Sequence, residues 1–160
     1  MPIGQSVEYA IVNQTSQALK IATGVNQRYK GTFFCTDRPT ANGTTPFLLN
    51  INNTTYAGTI IPIGMWANTA GVAVAVATAV GGFPLSNSAS GANFSFEFEI
   101  STSTFNKECS VEFDSVTSAG ARITGYIRAK STDTTTPITS LGTIDFVVAT
   151  TGILRIERLE

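Results

Sequence analysis

The sequence contains no histidine. This absence excludes Ser-His-Asp and Cys-His nucleophile activation, histidine zinc sites and the commonest general base near neutral pH. The two cysteines cannot fill a tetrahedral zinc shell by themselves. No glycine-rich stretch ends in the Gly-Lys-Ser or Gly-Lys-Thr of a phosphate-binding loop. We therefore predict no catalytic residue, no metal ligand, no cofactor and no enzymatic activity.

Charge is also scarce. Only 13% of the residues are charged, against about 25% in an average soluble protein, and no charged side chain occurs between Arg38 and Glu97. A nearly neutral exterior fits a protein that packs against copies of itself or other partners. It also fits an ordinary β-protein whose threonines reflect strand propensity. A net charge of -1 without a basic run argues against nucleic acid as a partner.

Long apolar runs are absent as well. The uncharged segment is interrupted every few residues by Asn, Thr, Gly or Pro, and it never offers about eighteen consecutive apolar side chains. We therefore expect no membrane partner. The first six residues lack the basic start and apolar block of a secretory signal. Either the chain stays in the compartment where it is made, or a leader has been removed.

Cys35 and Cys109 both lie in apolar, strand-like surroundings. Such cysteines are ordinarily buried free thiols. We favour free thiols over a disulfide between them.

What the chain does contain is alternation of apolar and polar residues. Phe94–Ile100 places three phenylalanines and an isoleucine on one face of a strand and Ser95, Glu97 and Glu99 on the other. Similar short segments, separated by turn residues, predict one all-β domain over residues 1–160, a β-sandwich with a jelly roll as the leading form. The predicted strands are Ser6–Val12, Ala18–Ala22, Gly31–Thr36, Phe47–Ile51, Tyr56–Ile63, Val72–Ala77, Phe94–Ile100, Glu108–Val116, Arg122–Lys130, Thr143–Val148 and Ile153–Leu159. Composition predicts exposed loops at Gly82–Gly91 and Ser131–Pro137.

Carboxylates are the one catalytic chemistry that the composition leaves open. Glu97 and Glu99 lie two residues apart on one strand, at a backbone separation of roughly 6.5 to 7 Å that overlaps the spacing of glycosidase carboxyl groups. Any solvent-facing strand gives the same spacing, and we favour that interpretation for this pair and for Glu112 with Asp114. A calcium loop using Asp114 and Asp133 lacks the usual acidic spacing.

Two further groups of side chains bear on binding. Carbohydrate-binding sandwiches use exposed aromatic rings, and the candidates here are Trp66, Tyr29, Tyr56 and Tyr126, although Trp66 is expected in the core or an interface. The densest charge cluster comprises Arg155, Glu157 and Arg158. We favour a solvated sheet edge that discourages further pairing, and the alternative is half of a salt-bridged partner contact.

The chain resembles small virion proteins of tailed bacteriophages, especially capsid decoration or cement proteins. The resemblance lies in the general character of the chain, which is a Thr-, Ala- and Gly-rich β-protein with an uncharged middle that includes Ala41–Thr45 and Gly71–Gly82. Met1–Gln5 could form an N-terminal arm. The resemblance implies a non-enzymatic virion protein that forms a homo-oligomer, often a trimer, and clamps neighbouring major capsid protein subunits. The alternative function is a carbohydrate- or receptor-binding β-module, such as a phage fibre or tail domain.

Overall fold

The computed structural model describes residues 1–37, 45–51, 54–55, 63–68, 71–74, 83–85, 94–103, 108–116, 122–130 and 135–160. All regular secondary structure in these ranges is β-strand, which confirms the predicted all-β class. The strands are β1 Ser6–Ala22, β2 Arg28–Asp37, β3 Thr45–Ile51, β4 Thr54–Thr55, β5 Ile63–Asn68, β6 Gly71–Val74, β7 Phe83–Leu85, β8 Phe94–Ser101, β9 Glu108–Val116, β10 Arg122–Lys130 and β11 Ser140–Arg158. No membrane-spanning helix occurs in the described ranges.

The strands form one hydrogen-bonded sheet. Its order is β4-β3-β11-β2-β8-β9-β10-β5-β6, with β1 added beside β11 and β7 beside β3. All the described pairings are antiparallel. The jelly-roll form stays a prediction, because it requires a strand arrangement that these pairings do not establish.

The long strand β11 folds the sheet back over its own face. Phe33 on β2 is paired with Leu154 in the second half of β11, yet its ring centroid lies 4.9 Å from that of Phe146 in the first half. Eight residues of straight strand would span about 26 Å. Strand β11 must therefore bend between Phe146 and Leu154, and the two parts of the sheet enclose the core in a sandwich-like manner.

Irregular residues mark the bend. The register of β1 against β11 shifts around Gln14, and Asn13 has a positive φ of 51°. A β-bulge accommodates such an extra residue without ending the strand. The predicted end of the first strand at Val12 was therefore wrong, since β1 runs on through Asn13 to Ala22. In the same way, Thr143–Val148 and Ile153–Leu159 are two parts of β11 rather than separate strands.

The core follows the predicted alternation. Phe96, Phe98 and Ile100 on β8 are buried, whereas Ser95, Glu97 and Glu99 are partly exposed. The buried hydrophobic residues are Ile11, Leu19, Ile21, Tyr29, Phe33, Cys35, Phe96, Phe98, Ile100, Cys109, Val111, Phe113, Ile138, Leu141, Ile144, Phe146, Leu154 and Ile156. The side chain of Phe94 lies outside the described part of the structure.

Several boundaries differ from the sequence predictions. The stretch Gly82–Gly91, predicted as a loop, contains β7, which pairs with β3 through Pro84 opposite Pro46. Proline is compatible with strands at sheet edges, so the turn-rich composition hid a short strand. Strand β5 was not predicted, and β6 coincides with the start of the predicted Val72–Ala77 strand. Residues 56–62, 75–82, 86–93 and 131–134 of the predicted segments lie outside the described residues.

The predicted free thiols are confirmed. Cys35 and Cys109 are both free and buried. Cys35 is opposite Phe94 at the start of β8, and Cys109 is opposite Ile100 near its end. Six strand residues span about 20 Å, whereas the α-carbons of a disulfide lie within about 7 Å of each other. The fold therefore keeps the two cysteines apart.

The residues predicted as a potential N-terminal arm lie against the end of β11. The amide of Gly4 donates to the carbonyl of Arg158 at 2.8 Å, and the amide of Arg158 donates to the carbonyl of Gln5 at 3.2 Å. The side chain of Met1 packs against the core. In the isolated chain, Met1–Gln5 thus cover the end of the sandwich.

Candidate functional site

Charged side chains collect on the outer face of strands β2, β8, β9 and β10. The register places Lys30, Glu99, Ser110 and Arg128 in one row across these strands. The next row contains Thr32, Glu97, Glu112 and Tyr126. We use "charged face" for the surface formed by Arg28, Lys30, Glu97, Glu99, Glu108, Glu112 and Arg128. On β2, β8 and β9 it is the side opposite the buried core residues.

Ion pairs connect neighbouring strands of the charged face diagonally. Arg28 Nη2 lies 2.6 Å from Glu99 Oε2, and Lys30 Nζ lies 2.8 Å from Glu97 Oε2. Arg128 Nε donates to Glu108 Oε1. Diagonal neighbours on adjacent strands are within reach of long side chains. The charges are therefore largely matched within the molecule.

The carboxylates also fix the protonation state of Lys30. Its pKa is raised, first by the hydrogen bond to Glu97 and also by the charges of Glu97, Glu99 and Glu112. A lysine that acts as a nucleophile or general base needs a lowered pKa. Lys30 is instead held as an ammonium ion, which suits it for pairing charges rather than for proton transfer.

Glu97 and Glu99 do not line the same cleft. A shallow cleft of about 240 Å³ lies on the charged face and is lined by Arg28, Glu99, Glu108, Ser110 and Arg128, together with Ile100 and Ser101. Glu97 does not line this cleft, and its carboxylate is bound to Lys30. Glycosidic bond cleavage requires both carboxyl groups to flank the same bond. The geometry therefore favours the solvent-facing interpretation of Glu97 and Glu99.

The other acidic candidates do not gather into a metal site in the described ranges. Asp114 on β9 is opposite Ser95 and Thr124, and Asp133 lies outside the described residues. No cluster of three or more potential metal-ligating side chains occurs in the part of the chain that the structure describes.

The four aromatic residues predicted as candidates for carbohydrate binding do not share one environment. Tyr29 is fully buried, and its hydroxyl donates to Gln27 Oε1 at 2.5 Å. Tyr126 is 42% exposed on the outer side of β10, opposite Glu112. The backbone of Trp66 pairs with Gly125 on β10, and Tyr56 lies outside the described residues. Tyr126 is thus the aromatic candidate with an exposed ring among those whose side chains are described.

The interpretation of Arg155, Glu157 and Arg158 as a solvated sheet edge was wrong. The second half of β11 pairs with β1 on one side and β2 on the other, so these residues occupy an interior strand. Arg155 Nη2 lies 3.9 Å from Glu157 Oε2, and Arg158 Nη1 donates to the carbonyl of Met1 at 2.7 Å. Period-2 alternation shows which residues face outward, but it does not show which strands are neighbours.

An exposed apolar pair was missed by the sequence reasoning. Phe34 on β2 is directly opposite Ile153 on β11, and these side chains are 52% and 48% exposed. The Phe33-Phe34 doublet carried the signal, since adjacent strand residues face opposite sides and one of the two rings must face outward. Ala10 on β1 continues the same row beyond Ile153.

A buried hydroxyl was also missed. Thr102 follows β8 and is fully buried; its Oγ1 accepts the amide of Gln27 at 2.9 Å and donates to the carbonyl of Gly24 at 2.7 Å. The amide of Thr102 also donates to the carbonyl of Gln27 at 2.9 Å. These bonds hold the β1–β2 turn against the end of β8. A single threonine in a Thr-rich sequence gives no signal of this role.

Comparison of the chain with protein-family models, with curated proteins and with solved structures found no match.

Proposed function

We propose that this protein is a non-enzymatic structural protein of a virion, a capsid decoration protein that binds and stabilises the capsid lattice. The observation that carries the proposal is the absence of charged side chains between Arg38 and Glu97. This segment is more than a third of the chain, and any part of it that contacts a partner does so without desolvating a charged side chain, which is a costly step in forming an interface.

The charge pairing on the outer face supports the same function. Arg28, Lys30 and Arg128 are each bound to a carboxylate of the same molecule. A substrate ion would have to displace these pairs, whereas a shape-complementary protein surface would not. Repetition of a modest contact around a symmetric lattice then supplies the affinity through avidity.

Capsid binding is tested by co-sedimentation. Purified protein is mixed with empty capsids of the phage that encodes it, and the bound fraction is measured as protein concentration rises. We expect saturable binding with a fixed ratio of this chain to major capsid protein, and a higher melting temperature of the capsids. Absence of co-sedimentation at concentrations well above micromolar would contradict the proposal.

The second candidate is carbohydrate or receptor binding, and the exposed Tyr126 favours it. Its ring lies on the charged face beside Glu112, an arrangement that offers a stacking surface and a hydrogen-bond acceptor to a sugar. Retention on a polysaccharide column that is lost in Tyr126→Ser and kept in Phe34→Ser would favour this candidate. The proposed capsid function predicts no specific retention of either variant or of the unaltered protein.

A further inference from the structure

One edge of β1 has no strand beside it in the described part of the structure. Among the described strands, β1 pairs only with β11, and Ser6–Ile11 follow an unbroken register against Gly152–Glu157. The outward edge of such a strand presents backbone N–H and C=O groups at every second residue. These groups are a template for another strand.

The first part of β1 has few of the features that normally prevent edge pairing. Ser6–Val12 contains no proline and a single charged residue, Glu8. The irregular residues come later, with positive φ values of 51° at Asn13 and 52° at Lys20. Bulges and charges are common means of blunting an edge. Strand β1 is therefore protected after Val12 but open before it.

The core is also incompletely covered at this edge. Val7, Tyr9 and Ile11 alternate on the core side of β1, opposite Ile156, Leu154 and Gly152. Ile11 is fully buried, whereas Val7 is 38% exposed and Tyr9 is partly exposed. Another strand placed beside β1 would cover Val7 and Tyr9 while it satisfied the free backbone groups.

We propose that the partner at this edge is β1 of a second copy, paired antiparallel about a two-fold axis through Tyr9. The sequence is self-complementary in this register: Val7 faces Ile11, Glu8 faces Ala10, and Tyr9 faces its equivalent. No like charges meet directly, and the apolar side chains of the two copies stay on the same side of the joined sheet. We choose a second copy as the partner because each copy has the same open edge of β1, so a single antiparallel contact pairs both edges.

The contact is small. Pairing of about seven residues per chain, without a second surface, falls below the size of a standard stable interface, so we expect a dissociation constant in the micromolar range or weaker. The proposal concerns self-association in solution and does not depend on capsid binding. A protein that dimerises but ignores capsids would refute the proposed function alone.

Sedimentation velocity of two matched variants tests the edge. We expect the unaltered protein to shift from the 16.9 kDa monomer toward twice that mass as concentration rises to about 1 mM. Val7→Lys places a charge at the edge and should raise the dissociation constant at least about tenfold, whereas Val25→Lys makes the same change at an exposed turn residue and should leave it unaltered. A monomer at every concentration, or a dimer that Val7→Lys does not weaken, overturns the proposal.

Disulfide trapping tests the register and does not depend on how well Val7→Lys folds. Directly opposed antiparallel residues have α-carbons about 4.5 to 5.5 Å apart, within disulfide range. Glu8→Cys and Ala10→Cys proteins are oxidised separately and as a mixture, with Cys35 and Cys109 buried and out of reach. We expect covalent dimers chiefly in the mixture. Equal cross-linking in all three samples, or none in any, overturns the pairing about Tyr9.

Discussion

Gly31 on β2 and Phe98 on β8 are directly opposite each other, and the Phe98 ring lies over the α-carbon of the glycine. A β-carbon added to Gly31 would overlap this ring. Glycine weakens an isolated strand because it has no side chain to pack. Here the absent side chain makes room for a fully buried phenylalanine, so the pair is tightly packed rather than loose.

Gly31→Ala should destabilise the protein. The new methyl group forces the Phe98 ring to move within the core, and such overpacking costs about 1–3 kcal/mol of unfolding free energy. Urea denaturation followed by fluorescence measures the change. Thr32→Ala, at the neighbouring exposed position, should cost less than about 1 kcal/mol. Equal losses for the two variants would contradict the close contact.

The bounds of β9 and β10 and the alternation of β8 could be predicted from the sequence, because apolar or small residues alternate with polar residues along each of these strands. The sequence pattern did not show that β1 continues through Asn13 or that β11 continues through Gly152. Bulge residues interrupt the period-2 pattern on which strand prediction depends. The pairing of Lys30 with Glu97 was equally hidden, since it depends on the register between β2 and β8, and register follows from tertiary packing.

Two adjacent phenylalanines should respond very differently to truncation. Phe33 is fully buried against Phe96 and Phe146, with ring centroids 5.1 Å and 4.9 Å away, whereas Phe34 is half-exposed on the outer face. Phe33→Ala should cost about 3–5 kcal/mol, because it leaves a cavity between the two parts of the sheet. Phe34→Ala should cost no more than about 1 kcal/mol. Chemical denaturation of the two variants under the same conditions checks the difference.

Thr102→Val should loosen the β1–β2 turn. The substitution keeps the shape of the side chain but removes the hydroxyl that serves both the amide of Gln27 and the carbonyl of Gly24. Leaving these partly buried backbone groups without the hydroxyl costs about 1–3 kcal/mol. Hydrogen exchange should show faster exchange of the Gln27 amide while the β8–β9 amides remain protected. Unchanged exchange at Gln27 would contradict the role of Thr102.

Alkaline pH should destabilise the fold through Cys109. Burial raises the pKa of this thiol well above its usual range, with a smaller contribution from the nearby Glu108 charge. Above about pH 9 the unfolded chain releases the thiol proton while the folded chain retains it. The unfolded state then binds fewer protons, so the free energy of unfolding falls as pH rises, with a limiting slope of about 1.4 kcal/mol per pH unit for one such group.

Cys109→Ala isolates this effect from other alkaline titrations. The variant loses some core packing at every pH, but between pH 8 and 10 its unfolding free energy should fall less steeply than that of the unaltered protein. Urea denaturation at intervals of half a pH unit, with Thr32→Ala as a control that keeps the thiol, measures the two slopes. The interval stops at pH 10 because burial also raises the pKa values of Tyr9 and Tyr29, whose titration adds to the slope at higher pH. Parallel curves for Cys109→Ala and the control would show that the thiol does not control the alkaline loss of stability.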